Sequence, residues 1–138
     1  MGMDADALRQ KRRPLGHPFR IGKIGHVVLQ VADMARSVDF YVHVLGMEVS
    51  DVYAEDMMPG GMTFLRFGPD HHGLALVGGL EGPARNVELN HVAFEVANLD
   101  EVVQARNHLR EAGVPIDFEG RRRAGCQFAV ETIKNLNL

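Results

Sequence analysis

A pattern of apolar and polar positions occurs twice along the chain, 65 residues apart. The first copy spans residues 24–33 and the second spans residues 89–98. A histidine stands third in each copy, as His26 and His91. A repeat at a fixed offset indicates that one supersecondary unit is used twice. The chain is therefore predicted to contain two copies of one folding unit.

The first copy alternates as a half-buried strand does. Every second residue from Val27 to Val31 is apolar, and this face is expected to pack on a helix. The opposite face is mixed, begins with His26, and should look into a cavity that the sheet makes. The copy ends at Asp33 and its repeat ends at Asn98, and both residue types are good helix N-caps. Each strand should therefore lead into a helix.

A helix and three further strands complete the first unit. The helix should run from Asp33 through Leu45, with apolar residues spaced i, i+3, i+4 and i+7, and Gly46 should end it. Turns rich in glycine and proline separate the strand-like runs that follow. These runs are Glu48–Ala54, Met62–Phe67 and His72–Val77. The first unit, about residues 22–80, is predicted to be β-α-β-β-β.

The second unit, about residues 87–138, repeats this order less completely. A strand over 88–96 should lead into a helix that Asn98 or Asp100 caps and Gly113 ends. Further strands are predicted at Pro115–Phe118 and Cys126–Thr132. Only six residues follow, where a fourth strand is due. This unit is expected to lose its last strand or to end in an atypical one.

Together the two units predict an α+β fold, in which they pair to form a cupped mixed sheet around a cleft. This single domain should occupy residues 21–138, and 138 residues suffice for one sizeable core. Residues 1–20 are predicted to be a flexible arm, because they are basic and prolines interrupt them.

Composition and charge limit the classes of partner that the protein is expected to bind. A formal net charge of −3 gives no general attraction to nucleic acid or to an anionic membrane. No apolar run approaches the roughly 20 residues of a membrane span, and the N-terminal residues lack the apolar core of a secretory signal. The single cysteine, Cys126, excludes an internal disulfide and fits a reducing compartment. A cytoplasmic protein with a small-molecule partner is predicted.

Seven histidines are the main candidates for chemistry. His43 and His108 fall on the polar sides of their helices and should be solvated, and His17 belongs to the arm. His26 and His91 occupy the same place in the two units. If the units pack around a pseudo-twofold axis, both face one cleft and can bind a metal together. The alternative is that each is a hydrogen-bonded core histidine.

A third ligand for such a metal has few candidates. Glu95 shares a face with His91, but four residues along a strand is about 13 Å, too far for one ion. Glu131 is better placed, because alternation in its strand directs it toward the cleft. Two imidazoles and one carboxylate are typical of non-haem Fe(II) sites, although imidazole also suits Mn, Ni and Zn. An exposed glutamate near a frayed terminus remains the alternative for Glu131.

Two β-α-β-β-β units that each open with His-Val-x-x-x-Val resemble the vicinal oxygen chelate superfamily. The first unit adds Arg-Ser-Val-Asp-Phe-Tyr at residues 36–41 and Leu-Gly-Met at residues 45–47. This superfamily includes glyoxalase I, bleomycin-resistance proteins, methylmalonyl-CoA epimerase, fosfomycin-resistance enzymes and extradiol dioxygenases. The resemblance covers about residues 22–132, on a frame that hosts many chemistries.

Within the superfamily, residues 64–76 look most like the extradiol dioxygenases. The resemblance implies that His72 is an acid–base residue beside bound dioxygen. It also places Leu76 where glyoxalase-type members have an extra ligand, which favours a site of two histidines and one carboxylate. The implied chemistry is Fe(II) holding a catecholate and dioxygen together while His72 moves protons. The alternative for the pair His71-His72 is a solvent-exposed turn.

The chain departs from the dioxygenases in its second unit. Arg122 stands where those enzymes usually have a second active-site histidine, and Glu131 stands where they have a tyrosine. Their metal glutamate lies later, after an Asp-Pro-x-Gly turn that this sequence lacks. Either Glu131 substitutes, or the chain is truncated, or the site is incomplete. Residues 121–123, all arginine, favour an anionic substrate bound at Arg122, with a solvated loop as the alternative.

The sequence thus predicts a protein resembling an Fe(II)-dependent extradiol dioxygenase, with metal ligands His26, His91 and Glu131. One rival is a metal-free binding protein of the bleomycin-resistance type. Another is a lyase or epimerase of the glyoxalase type that uses Ni, Zn or Co. A homodimer is expected, because an incomplete last strand leaves an open sheet edge for a partner chain to cover.

Overall fold

The first unit folds as β-α-β-β-β, as the sequence predicts. In the computed structural model, the described residues are 2–82, 89 and 91–115, together with the backbone of 127–130. The elements of the first unit are β1 (Val27–Gln30), α2 (Met34–Asp39), β2 (Glu48–Tyr53), β3 (Met62–Arg66) and β4 (Leu74–Val77), preceded in the predicted arm by the short helix α1 (Ala5–Arg9). The prediction of a mixed α+β fold is confirmed.

The four strands form one mixed sheet in the order β1-β4-β3-β2. The pairing of β1 with β4 is parallel, and the other two pairings are antiparallel. A parallel neighbour requires a crossover, and here β2 and β3 are included in that long connection. In register, Val28, Ala75 and Phe64 lie side by side across three strands. They therefore share one face of the sheet.

The core lies on the other face, between the sheet and the helices. Leu29 and Val31 are 8% and 3% exposed, so the apolar face predicted from the alternation is buried. They pack with Leu65 and Leu76, which are completely buried, and with Tyr41 from the helical segment. By contrast Val28, on the opposite face, is 45% exposed. The pattern of the sequence thus predicts both faces of β1 correctly.

The helix of the first unit ends in a wider turn than predicted. Its α-helical part stops at Asp39, and a π-helical turn follows over Phe40–Val44. Leu45 N–H donates to the Phe40 carbonyl at 3.2 Å, which is a bond over five residues. Gly46 then takes a φ of +75°, as expected of a C′ glycine. The predicted end of the helical segment is right, but its uniform α-helical geometry is wrong.

Strand ends also differ from the sequence-based bounds. The predicted strands over 24–31 and 72–77 shorten to β1 and β4, so that His26 and His72 precede strands rather than lie on them. The cause is hydrogen-bond register, because regular pairing begins only where Val27 meets Leu74. Alternation cannot locate that starting point.

The second unit contains a strand, a helix and a strand within its described part. These are β5 (Val92–Glu95), α3 (Leu99–Glu111) and β6 (Gln127–Val130). β5 and α3 begin 65 residues after β1 and α2 respectively, so the repeat of strand and helix extends to the backbone. β5 pairs antiparallel with β6. The strand predicted at 126–132 thus appears in part, whereas most of that predicted at 115–118, and any last strand, lie outside the described residues.

Side chains of the second unit join the core of the first. Leu109 of α3 and Val114 after it belong to the same buried cluster as Leu29 and Tyr41. In addition, a ring nitrogen of His108 lies 2.9 Å from the Val44 carbonyl oxygen. Among the helices that the structure describes, none is long and apolar enough to span a bilayer.

Candidate functional site

The start of β1 and the turn before β4 are held side by side. Val27 N–H donates to the Gly73 carbonyl at 3.1 Å, where the parallel pairing begins. Before this point in the chain, the Lys23 ammonium forms an ion pair with the Asp70 carboxylate. Gly73 N–H also donates to the Leu65 carbonyl at 3.0 Å, which attaches the turn to β3. These contacts place the residue before β1, His26, next to the residues before β4.

Three imidazole rings meet at this point. The His26 and His72 ring centroids are 4.6 Å apart with an interplanar angle of 50°. The Nδ1 atoms of His71 and His72 are 2.9 Å apart, within hydrogen-bond distance. His26 and His71 are exposed, whereas His72 between them is half-buried. Two of the predicted site residues, His26 and His72, are thus brought together.

Two aromatic rings of the sheet, those of Phe64 and Tyr53, form an aromatic wall beside the histidines. Phe64 of β3 is buried, and its ring centroid lies 4.9 Å from that of His72 and 5.7 Å from that of His71. Tyr53, at the end of β2, contacts Phe64 edge to face at 5.0 Å. Sequence reasoning missed both aromatic residues. Both neighbouring positions, Phe64 and Leu65, are apolar, so alternation does not assign their faces, and the pairing of Phe64 with Ala75 does.

The surroundings of His72 disfavour the charged form of its ring. Partial burial, followed by the charges of His26 and His71, lowers the pKa of His72 below its ordinary value of 6.5. An imidazole with a lowered pKa is mostly unprotonated at neutral pH and can accept a proton. The cluster therefore contains a proton acceptor against an apolar aromatic surface.

His91 holds the equivalent position in the second unit. It immediately precedes β5, as His26 precedes β1, and it is half-buried. Two imidazoles at equivalent strand starts have the donor chemistry that divalent iron accepts. Glu131 and Arg122, the other predicted site residues, lie outside the described part of the chain. Among residues that the structure does describe, no three His, Cys, Asp or Glu side chains form a metal-binding group.

The two histidines of the helical segments lie at the surface, as predicted. His43 is exposed and pairs with the Asp39 carboxylate at 3.0 Å. His108 is also exposed and caps a carbonyl of the neighbouring helical segment. A shallow groove of about 300 Å³ lies near them, where the π turn meets the end of α3. It shares no lining residue with the histidine cluster.

Comparisons with known proteins identify the family. A sequence model described as the Glyoxalase/Bleomycin resistance protein/Dioxygenase superfamily matches residues 23–132. The chain belongs to this superfamily. Metapyrocatechase 2 of Cupriavidus necator is 35% identical over 91 residues, which are 66% of this chain and 26% of that protein. The iron-dependent extradiol dioxygenase of Rhodococcus jostii is 34% identical over 109 residues, which are 70% of this chain and 35% of that enzyme.

The solved structures show the fold. Glyoxalase I of Leishmania major superposes with a TM-score of 0.60 at 24% identity, covering 79% of this chain and 85% of that one. The fosfomycin resistance protein FosX of Listeria monocytogenes, a complex with Mn(II), gives a TM-score of 0.61 at 17% identity, covering 83% and 87%. The chain thus spans most of these proteins, but only about a third or less of the curated dioxygenases.

Proposed function

We propose that this protein is a metal-dependent oxidoreductase of the extradiol dioxygenase type that cleaves a small aromatic diol. The observation that carries the proposal is the contact between His72 and His26. The imidazole of His72, whose pKa is lowered, lies against the ring of His26 at the strand start and against the ring of Phe64. The names of the relatives, which are iron-dependent or catechol-cleaving dioxygenases, support the same chemistry.

His26 and His91 would hold the metal, with Glu131 as the third ligand. Their donor types fit Fe(II), and Mn, Ni or Zn would suit the imidazoles as well. When bound, the metal supplies Lewis-acid and one-electron chemistry toward oxygen. Arg122 would bind an anionic group of the substrate through charge-assisted hydrogen bonds.

The residues of the cluster have separate tasks in this proposal. His72 takes the proton of a substrate hydroxyl on a ring nitrogen and returns it later, as a general base and then a general acid. Phe64 and Tyr53 offer their rings to a flat apolar ligand, because aromatic rings associate edge to face or offset. Phe64 also covers one side of the His72 ring.

Metal content tests the proposal directly. Protein purified without oxygen and supplied with Fe(II) should retain about one iron per chain, because two imidazoles and a carboxylate suffice for Fe(II). His26→Ala should lose the iron. His43→Ala removes a surface histidine and should keep it. If none of the three proteins retains iron, the proposal is wrong, and a metal-free binding protein is the better description.

Oxygen uptake with catechol tests the role of His72. His72→Phe keeps a ring against Phe64 but cannot carry a proton, so turnover should fall about 10²- to 10⁴-fold. Its iron content should match that of the unmodified protein. Equal turnover in both proteins would remove His72 from the mechanism.

A further inference from the structure

We propose that His71 is a positioning residue, which holds His72 in the tautomer with hydrogen on Nδ1 and leaves Nε2 as the proton-accepting nitrogen. The catalytic consequence rests on the proposed function, whereas the tautomer itself does not. For the pair His71-His72, the sequence leaves two alternatives open, an active-site position and a solvent-exposed turn. In the structure the His71 ring is exposed, and one of its ring nitrogens contacts a ring nitrogen of His72.

The contact joins Nδ1 of His71 to Nδ1 of His72 at 2.9 Å. A hydrogen bond between two ring nitrogens needs a hydrogen on one and a lone pair on the other. The bond therefore couples the two tautomers: the ring that donates from Nδ1 has an unprotonated Nε2, and the ring that accepts at Nδ1 carries its hydrogen on Nε2. A histidine without such a partner exchanges between its two tautomers.

The exposure of His71 favours one direction for this bond. A neutral imidazole in water prefers the tautomer with hydrogen on Nε2, so the exposed His71 ring offers the Nδ1 lone pair to its neighbour. His72 is half-buried, and its ring contacts both His26 at 4.6 Å and Phe64 at 4.9 Å. His72 then donates from Nδ1, which leaves Nε2 with a free lone pair.

The ring packing makes this assignment persistent. His71 itself lies 5.7 Å from Phe64, so one phenyl ring orients both imidazoles. A flip of the His72 ring would exchange its Nδ1 for a carbon and break the bond to His71. The pair therefore controls ring orientation and tautomer together, as hydrogen-bond partners of catalytic and metal-binding histidines do.

Nitrogen NMR of the metal-free, full chain tests the tautomer without any metal or substrate. Long-range proton–nitrogen spectra distinguish protonated from unprotonated ring nitrogens. In the unmodified protein, His72 should show a protonated Nδ1 and an unprotonated Nε2. His71→Phe keeps an aromatic ring but offers no acceptor, so His72 should move toward the Nε2–H form. His71→Asn supplies an amide oxygen and should restore the Nδ1–H form.

Two results would overturn the proposal. One is a protonated Nε2 on His72 in the unmodified protein. The other is a His72 tautomer that is the same in His71→Phe as in the unmodified protein. Because these spectra need no iron, they decide the role of His71 even if the protein binds none.

Activity then links the tautomer to function. In iron-loaded protein, His71→Phe should lower kcat about 10- to 100-fold, the effect typical of an orienting partner. KM should stay within about twofold, because His71 does not bind substrate, and His71→Asn should recover most of kcat. An unchanged kcat in His71→Phe, beside iron binding and catechol cleavage, would overturn the positioning role alone and leave the proposed function standing.

Discussion

The histidines of this chain differ in their chemical environment, because their side chains contact different groups. His43 and His108 lie on helices and contact a carboxylate and a carbonyl at the surface. His72 instead has two imidazoles and a phenyl ring as neighbours, and these lower its pKa. Burial disfavours the charged ring, and nearby positive charge adds to the effect. The lowered pKa of His72 therefore follows from the contacts that the turn before β4 makes.

Tyr41 gives a prediction of pH dependence at this scale. Burial raises the pKa of Tyr41 from 10.0 to about 12. The unfolded chain thus loses this proton first, so the stability that the neutral phenol contributes is complete below pH 10 and is lost as the pH rises from 10 to 12. Near pH 11 the loss is about 1 kcal/mol. Tyr41→Phe should lack this part of the alkaline destabilisation.

Urea unfolding at about pH 8 and about pH 11 measures this difference. Tyr53→Phe, which removes a phenol from an exposed strand position, is the matched control. Equal changes in the pH dependence of both variants would show that burial of Tyr41 is not the cause.

The sequence identifies some residues of the candidate site and does not identify others. Two separate signals in the sequence, the repeat and the family resemblance, predict His26 and His72 as site residues, and their rings are in contact in the structure. Phe64 was missed because an apolar residue on a strand gives the same signal whether it faces the core or a cleft. Register across three strands is what assigns its face. Glu131 and Arg122 remain predictions.

At the scale of elements, the two equivalent helices begin with equivalent caps. The Asp33 carboxylate accepts from Arg36 N–H at 3.0 Å, and the Asn98 amide oxygen accepts from Glu101 N–H at 2.9 Å. In α3, Glu101 also reaches back and accepts from Ala97 N–H at 2.8 Å. In α2, the Asp33 carboxylate supplies the side-chain acceptor for the first turn.

Substitutions at Asp33 test how much its cap contributes to the free energy of unfolding. Asp33→Ala removes the acceptor and should lower the free energy of unfolding by about 1 kcal/mol. Asp33→Asn copies the second unit and keeps an acceptor, so it should lose only the charge interaction with the helix dipole, about 0.3–1 kcal/mol at low salt. Urea unfolding at high salt should make the Asn variant nearly equal to the unmodified protein. An Asn variant as unstable as the Ala variant would contradict the cap interpretation.

Element order was predictable, and element ends were not. Hydrophobic period and turn residues predict strands and helices well in the first unit. They do not predict the π turn at Phe40–Val44, since its wider hydrogen bond leaves the spacing of apolar residues almost unchanged. Nor do they predict the register shift between Val49 and Asp51 in β2. The register shift depends on how β2 pairs with β3, which alternation within one strand does not report.

At the scale of the molecule, the described parts of the two units share one core. Leu109 of the second unit is 8% exposed and belongs to a cluster with Leu29, Tyr41 and Leu74 of the first. Phe67 and Phe94 also approach across the units, with ring centroids 6.0 Å apart. Contacts of this kind couple the unfolding of the parts that they join.

Leu109→Ala tests this coupling, because the chain carries no tryptophan and both its tyrosines lie in the first unit. Tyrosine fluorescence therefore reports only on the first unit. Loss of the Leu109 side chain from the shared core should lower the free energy of unfolding by about 2–5 kcal/mol. The fluorescence transition and the helical circular dichroism should move together to lower temperature. Val103→Ala, at a position of α3 that is 46% exposed, should move neither by a comparable amount. A fluorescence transition that stays in place while the dichroism shifts would mean that the units unfold separately, and that the cleft beside His26 does not depend on the second unit for its stability.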